Sequence, residues 1–344
     1  MTHVIEKTTR RYNQRTRTRH AGHLLFGLFT LFCLLVILRN SDAAIAYVTR
    51  GLLLCARTVI PSLFPFMVLS ELIVAGGFGT SAIGCISTPF KRLLHLSEAG
   101  CCAFLLGLLC GFPIGARCAV SAYERGEMTK AECERVLGIS GAPSSAFLIS
   151  AVGASLWESR TFGIALYAAV VLSAILTACI QAHAQKSTPC AMPDEYAALR
   201  EPPLRGATLL THSIRSATEG ILSVTAYVVF FSVLTGTLEL VLAPLSLSPI
   251  LHAAIGGFLE LSGGVSLAAG LEAPIAAALL TAATVAWSGL SVHCQILAVT
   301  SKSALSLRPY LRAKIVQTLL TVVLIAILIY ICPAILTAGS AAGM

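Results

Sequence analysis

Directly after the apolar run from Ala99 to Cys110 comes Gly111-Phe112-Pro113-Ile114-Gly115-Ala116-Arg117. An arginine at the edge of a membrane-grade run is costly unless it pairs or faces a cavity, and its planar fork matches a carboxylate or phosphate. Arg117 is therefore the candidate anchor for an anion, against the plainer reading of an arginine that marks a helix end and snorkels to headgroups. Gly111, Pro113 and Gly115 interrupt the helix. The backbone N–H groups they free can be satisfied only inside protein or along a cavity, where they add positive potential toward an anion. A second interruption, Trp287-Ser288-Gly289-Leu290-Ser291-Val292-His293-Cys294-Gln295, sets Ser288, Ser291, His293 and Gln295 among apolar neighbours. Histidine can shuttle protons, and a glutamine amide can read the edge of a planar heteroaromatic ring by paired hydrogen bonds. The plain alternative is hydrogen bonding between helices, worth about 1 kcal/mol in a membrane. Glu71 and Glu260 lie deep in apolar sequence, where a carboxylate must be neutralised, pair with Arg117 or bind a coupling cation. Both are assigned to coupling or gating.

Other chemistries find little support. The sequence contains no H-E-x-x-H, G-x-S-x-G or Walker A pattern, so no catalytic residue is named and the chain is read as not an enzyme. Its 12 cysteines include no C-x-x-C spacing and most sit in apolar runs, as buried small hydrophobes do; no metal site and no cofactor is implied.

The elements that must position these residues are membrane helices. With 56% hydrophobic and 12% charged residues, the chain has about half the charge of a soluble domain. The net charge of +8 comes from an N-terminal basic cluster and from short connections. That distribution fits an anionic lipid leaflet and argues against nucleic acid. At about 20 apolar residues per span, the runs predict an all-α polytopic protein of about 8–10 transmembrane helices, some broken or re-entrant. They fall near 21–39, 44–76, 99–119, 136–156, 161–182, 214–243, 249–271, 273–300 and 311–337. Pro61 and Pro65 in the second run predict a kink, a re-entrant loop or a helix pair. A basic cytoplasmic tail over 1–20, a first membrane half over 21–182, a soluble linker over 183–211 and a second half over 212–338 give the domain order. Thr129 with Glu132 forms a capping box and predicts a short amphipathic helix at the interface within Tyr123–Arg135.

Six strings occur in a shared order from about residue 44 to 325: Ile60-Pro61-Ser62-Leu63-Phe64-Pro65-Phe66, Ser70-Glu71-Leu72, the Gly111–Arg117 break, Phe230-Phe231-Ser232-Val233, Glu260-Leu261-Ser262-Gly263-Gly264 and Gly289–Gln295. Together they resemble the YlbJ-type sporulation integral membrane proteins of the nucleoside-recognition, or Gate, family, which is similar to concentrative nucleoside transporters. The resemblance implies a multi-pass cell-membrane protein that moves a small organic anion, with dipicolinic acid during sporulation the candidate; the basic tail itself places the N-terminus in the cytoplasm. Alternatives are a nucleoside carrier and a non-transporting scaffold of a sporulation complex. The implied partners are the bilayer and a small organic anion or nucleoside, and a homo-oligomer stays open. The chain departs from the family pattern at Arg117, where lysine is commoner, and at Ser140-Gly141, where asparagine is.

Overall fold

Proline sets where many of the helices start. Pro113, Pro249, Pro274 and Pro309 each lie in the first turn of a helix, where the missing N–H would have had no intrahelical partner. Ser97 and Thr129 start two further helices, and Ser248 joins Pro249, each accepting an N–H from the first turn through its hydroxyl oxygen. In the computed structural model, which describes residues 24–25, 27–77, 90–91, 93–184 and 204–336, every element among the described residues is helical. The basic tail and most of the linker region lie outside the described residues.

In chain order the helices are α1 Gly27–Arg39, α2 Ser41–Ala75, α3 Glu98–Cys110, α4 Phe112–Glu124 and α5 Lys130–Ile139. They continue with α6 Phe147–Leu156, α7 Arg160–Ala184, α8 Gly206–Leu242, α9 Pro249–Leu259 and α10 Leu261–Ala269. The last are α11 Pro274–Trp287, α12 Gly289–Thr300 and α13 Arg308–Ile331. Among the described residues five stretches, Ser41–Ala75, Arg160–His183, Gly206–Leu245, Pro274–Thr300 and Arg308–Ile331, are long and apolar enough to cross a membrane. The protein is thus an all-α, multi-pass membrane protein. Its outer faces carry apolar side chains such as Leu319, Val323 and Ile327, whereas Lys314, Gln317 and Thr321 on the same helix are buried. Lipid rewards that inversion of the soluble pattern.

The other helices are too short to span. With 13 residues each, α3 and α4 reach about 20 Å, against a hydrocarbon core of about 30 Å. They pack against each other as a hairpin with its tip at Gly111, and α9 with α10 forms a second hairpin with its tip at Glu260. Each hairpin is followed by a broken helix and then a long one. The order long helix, hairpin, broken helix, long helix therefore occurs twice, once over 41–184 and once over 206–331. If hairpins return to the side they enter from and each broken helix crosses once over its two pieces together, each set makes three crossings, an odd number, and the second set runs in the opposite sense.

The structure corrects three expectations. The Pro61–Pro65 region is neither a loop nor a helix pair: α2 runs continuously from Ser41 to Ala75, widened by a π turn over Cys55–Val59 just before the prolines. A π turn relieves the backbone crowding that proline imposes, so the helix continues. The capping box at Thr129 forms, with Glu132 N–H donating to Thr129 Oγ1 at 3.2 Å, but the helix it starts does not lie at a surface. Glu132 and Arg135 on α5 are buried because they serve backbone near the start of α3: Ser97 N–H donates to Glu132 Oε1 at 2.5 Å and Arg135 donates to His95 O at 2.9 Å. Finally, the expected soluble linker ends sooner, since Gly206–Thr211 is already the first turn and a half of α8.

Candidate functional site

Each hairpin tip abuts a helix break. Gly111, at φ 105°, sits where an added Cβ would come 3.2 Å from Ser144 N, in the unwound stretch between α5 and α6. Gly289, at φ 79°, would bring a Cβ within 3.0 Å of Glu260 Cα at the second tip. Both positions need the left-handed conformations that glycine tolerates, and both need its missing side chain. Ser288, before Gly289, also has a positive φ of 74°, so the α11–α12 break turns on two consecutive left-handed residues.

Between the tips lies a cavity with about 560 Å³ of empty space, its open mouth included. Gly111 and Pro113 from the first tip, Pro143 and Ser144 from the first break, Glu260 and Ser262 from the second tip, and Ser291 and Gln295 from the second break all line it. Helix α2 closes one side with Thr58 and Ser62, and α8 contributes Val224 and Val228. Among the described residues, Glu260 is the only ionisable side chain in the lining. It caps α10, accepting Ser262 N–H at 3.0 Å and Gly263 N–H at 2.6 Å, and is 5% exposed. Gln295 presents a buried Oε1 with no partner, a polar atom whose desolvation nothing in the protein offsets. By contrast, the N-terminus of α4 carries no side-chain cap at Gly111.

Of the residues singled out in the sequence, Gly111, Pro113, Ser291, Gln295 and Glu260 converge on this cavity. The others are placed elsewhere. Arg117 points to α8, where Nη2 donates to Ser216 O at 2.9 Å and to Ser216 Oγ at 2.7 Å, so it neither lines the cavity nor pairs with Glu260. Glu71 faces the same helix one turn away, 3.5 Å from His212. Gly115 packs backbone to backbone against Gly107 on the other hairpin arm. His293 turns away from the cavity into a sandwich of Trp287 and Tyr310, with Nδ1 at 2.6 Å from the Tyr310 hydroxyl. Ser288 bonds Lys314 instead. Arg117→Ala is therefore expected to loosen α4 from α8 and cost about 1.5–3 kcal/mol, the range for hydrogen bonds to a charged group. Thermal unfolding should report that loss, with ligand affinity unchanged in the protein that folds.

Sequence reading missed Lys314, counting it among connector residues. It is 1% exposed, at the centre of the helix packing, and donates to Gly141 O, Ser288 Oγ and Gln317 Oε1. The signal was present: Tyr310, Lys314, Gln317 and Thr321 recur at helical spacing along one face of an otherwise apolar helix. Ser144 and Ser262 were also passed over, as single hydroxyls without periodicity.

Over 339 residues the chain is 22% identical to the sporulation integral membrane protein YlbJ of Bacillus subtilis (strain 168), with 89% of this chain and 82% of that protein covered. The chain is similar to YlbJ. No family model matches the chain and no solved structure matches it, so nothing in these comparisons carries the nucleoside-recognition part of the resemblance.

Proposed function

We propose that this chain is a membrane transporter that binds one small polar molecule between its two hairpin tips, without catalysis. The observation that carries this reading is the cavity itself: irregular backbone from both halves, a buried carboxylate and an unpartnered amide oxygen meet at one place in the membrane interior. Unwound helices and hairpin tips are tolerated at such depth where they line a binding cavity, and repeated sets of opposite sense supply the two arms of an alternating-access carrier.

The lining favours an uncharged ligand rich in hydrogen-bond donors. Glu260 and Gln295 Oε1 are acceptors, the hydroxyls of Ser62, Ser144, Ser262 and Ser291 serve either way, and no arginine or lysine among the described residues lines the cavity. That hydrogen-bonding complement matches a nucleoside-like molecule, with ring hydroxyls donating to Glu260 and a planar edge donating to Gln295. A small organic anion such as dipicolinic acid is the second reading, favoured by the uncapped α4 N-terminus at Gly111 and by the sporulation role in the relative's name. The cell membrane is the proposed location, with the basic tail cytoplasmic by the excess of positive charge on that side.

Uptake of labelled uridine and labelled dipicolinate into proteoliposomes, under a proton or sodium gradient, tests both. Uridine accumulation that falls in Glu260→Gln supports the uncharged-ligand reading. Dipicolinate accumulation moves the assignment to the anion. Neither, with protein shown to be folded, leaves a scaffold in a membrane assembly.

A further inference from the structure

Lys314 is buried at the centre of the helix packing, with no carboxylate within ion-pair distance among the described residues. Its hydrogen bonds run only to neutral oxygens: Gly141 O at 2.7 Å, Ser288 Oγ at 3.2 Å and Gln317 Oε1 at 3.3 Å. Gly141 belongs to the unwound stretch after α5, and Ser288 is the left-handed residue between α11 and α12, so one charge joins the breaks of both halves. Tyr310 and His293, one turn away, bond each other through the Tyr310 hydroxyl and His293 Nδ1, and His293 Nε2 is buried without a partner.

Intramembrane lysines ordinarily pair with a carboxylate or face water. Carbonyl, hydroxyl and amide oxygens gathered at a helix break are instead the arrangement that holds a bare monovalent cation. We infer that Gly141 O, Ser288 Oγ and Gln317 Oε1 form a monovalent-cation site whose occupant is the chain's own Lys314 ammonium, a tethered ion in place of a mobile sodium or potassium ion. The positive charge polarises the three oxygens and fixes the two breaks against each other without any ion from solution. Removing the side chain while leaving the oxygens opens the site to a free cation. The site stands apart from the transport reading, because its occupancy is read on folding stability alone.

The test is thermal unfolding of the purified full chain in detergent, in sodium, potassium or choline chloride at equal ionic strength. Wild type is expected to unfold at one midpoint in all three salts, since its site is filled. Lys314→Ala is expected to unfold lower in choline and to regain several degrees, saturably, with sodium or potassium, because a cation that binds only the folded state stabilises it by mass action. Lys314→Met fills the volume without charge and should ignore the choice of salt, which separates site occupancy from a general salt effect. A Lys314→Ala midpoint equal in the three salts overturns the assignment. So does a wild-type midpoint that rises with sodium or potassium over choline as far as that of Lys314→Ala. Should Lys314→Ala not fold, Lys314→Ser takes its place, adding a hydroxyl oxygen to the same ligand set, and is held to the same two outcomes.

Discussion

Glu260→Gln is expected to leave the protein folded while lowering cavity ligand affinity by about 10- to 100-fold, the equivalent of one charge-assisted hydrogen bond. The glutamine amide keeps an oxygen that can accept one of the two N–H groups, from Ser262 or Gly263, so α10 stays capped. What it loses is the second acceptor and the charge that faces the cavity. Glu260→Ala should behave differently, because both N–H groups are then left without an acceptor where water is scarce. A destabilisation of about 2–5 kcal/mol follows, from a lost cap and two unsatisfied donors. Ligand titration by calorimetry and thermal unfolding separate the two effects. Glutamine and alanine variants equal in stability would mean that Glu260 does not hold the second hairpin tip. Unchanged ligand affinity in the glutamine variant would remove it from the binding site.

Gly264→Ala should be among the most damaging single-methyl additions in the chain. Its Cβ would lie 2.1 Å from Gly257 Cα and 2.5 Å from Gly257 N, on the facing arm of the second hairpin. Backbone cannot yield as a side-chain tip can, so the arms must separate and carry Glu260 away from Ser291 and Gln295. The expected cost is about 3 kcal/mol, the upper end of the overpacking range, with uptake lost. Gly270→Ala is the control on the same hairpin, since its Cβ would meet only carbonyl oxygens at 3.6 Å or more. That variant should stay within about 0.5 kcal/mol of wild type. Thermal unfolding of both in one detergent decides the matter, and equal midpoints would show that the hairpin arms are less closely held than their glycine contact implies.

The breaks at Gly111–Gly115 and at Ser288–Gln295 were legible in the chain because proline, glycine and polar residues stand out against membrane-grade apolar sequence. Glu260 was legible for the same reason: a carboxylate among Phe258, Leu259 and Leu261 has few uses other than capping or binding. Arg117 and Glu71 stood out by the same rule, yet the structure directs both to α8, where Ser216 and His212 take them up. Ionisable character shows that a residue needs a partner and not which one, and here the partner of Arg117 lies 99 residues along the chain. The π turn before Pro61 was hidden because proline reports a local backbone demand without saying how neighbouring turns will meet it. Glu132 and Arg135 read as surface residues because their acceptors and donors are backbone groups, which carry no sequence signal.

The sequence by itself determined that this is an all-α protein of the membrane, that it is interrupted near residues 111 and 288, and that polar groups gather at those interruptions. Apolar length and the absence of water leave the backbone no alternative to helices, and proline and glycine leave those helices no choice but to break. Only the tertiary structure decided that the two halves repeat one order of elements and that the hairpin tips meet the breaks around one cavity. It also decided that Glu260, rather than Arg117, faces that cavity, and that Lys314 bridges Gly141 and Ser288, which lie 147 residues apart in the chain. Those outcomes depend on which helix packs on which, and in a chain whose helices are apolar on nearly every face, periodicity does not encode that choice.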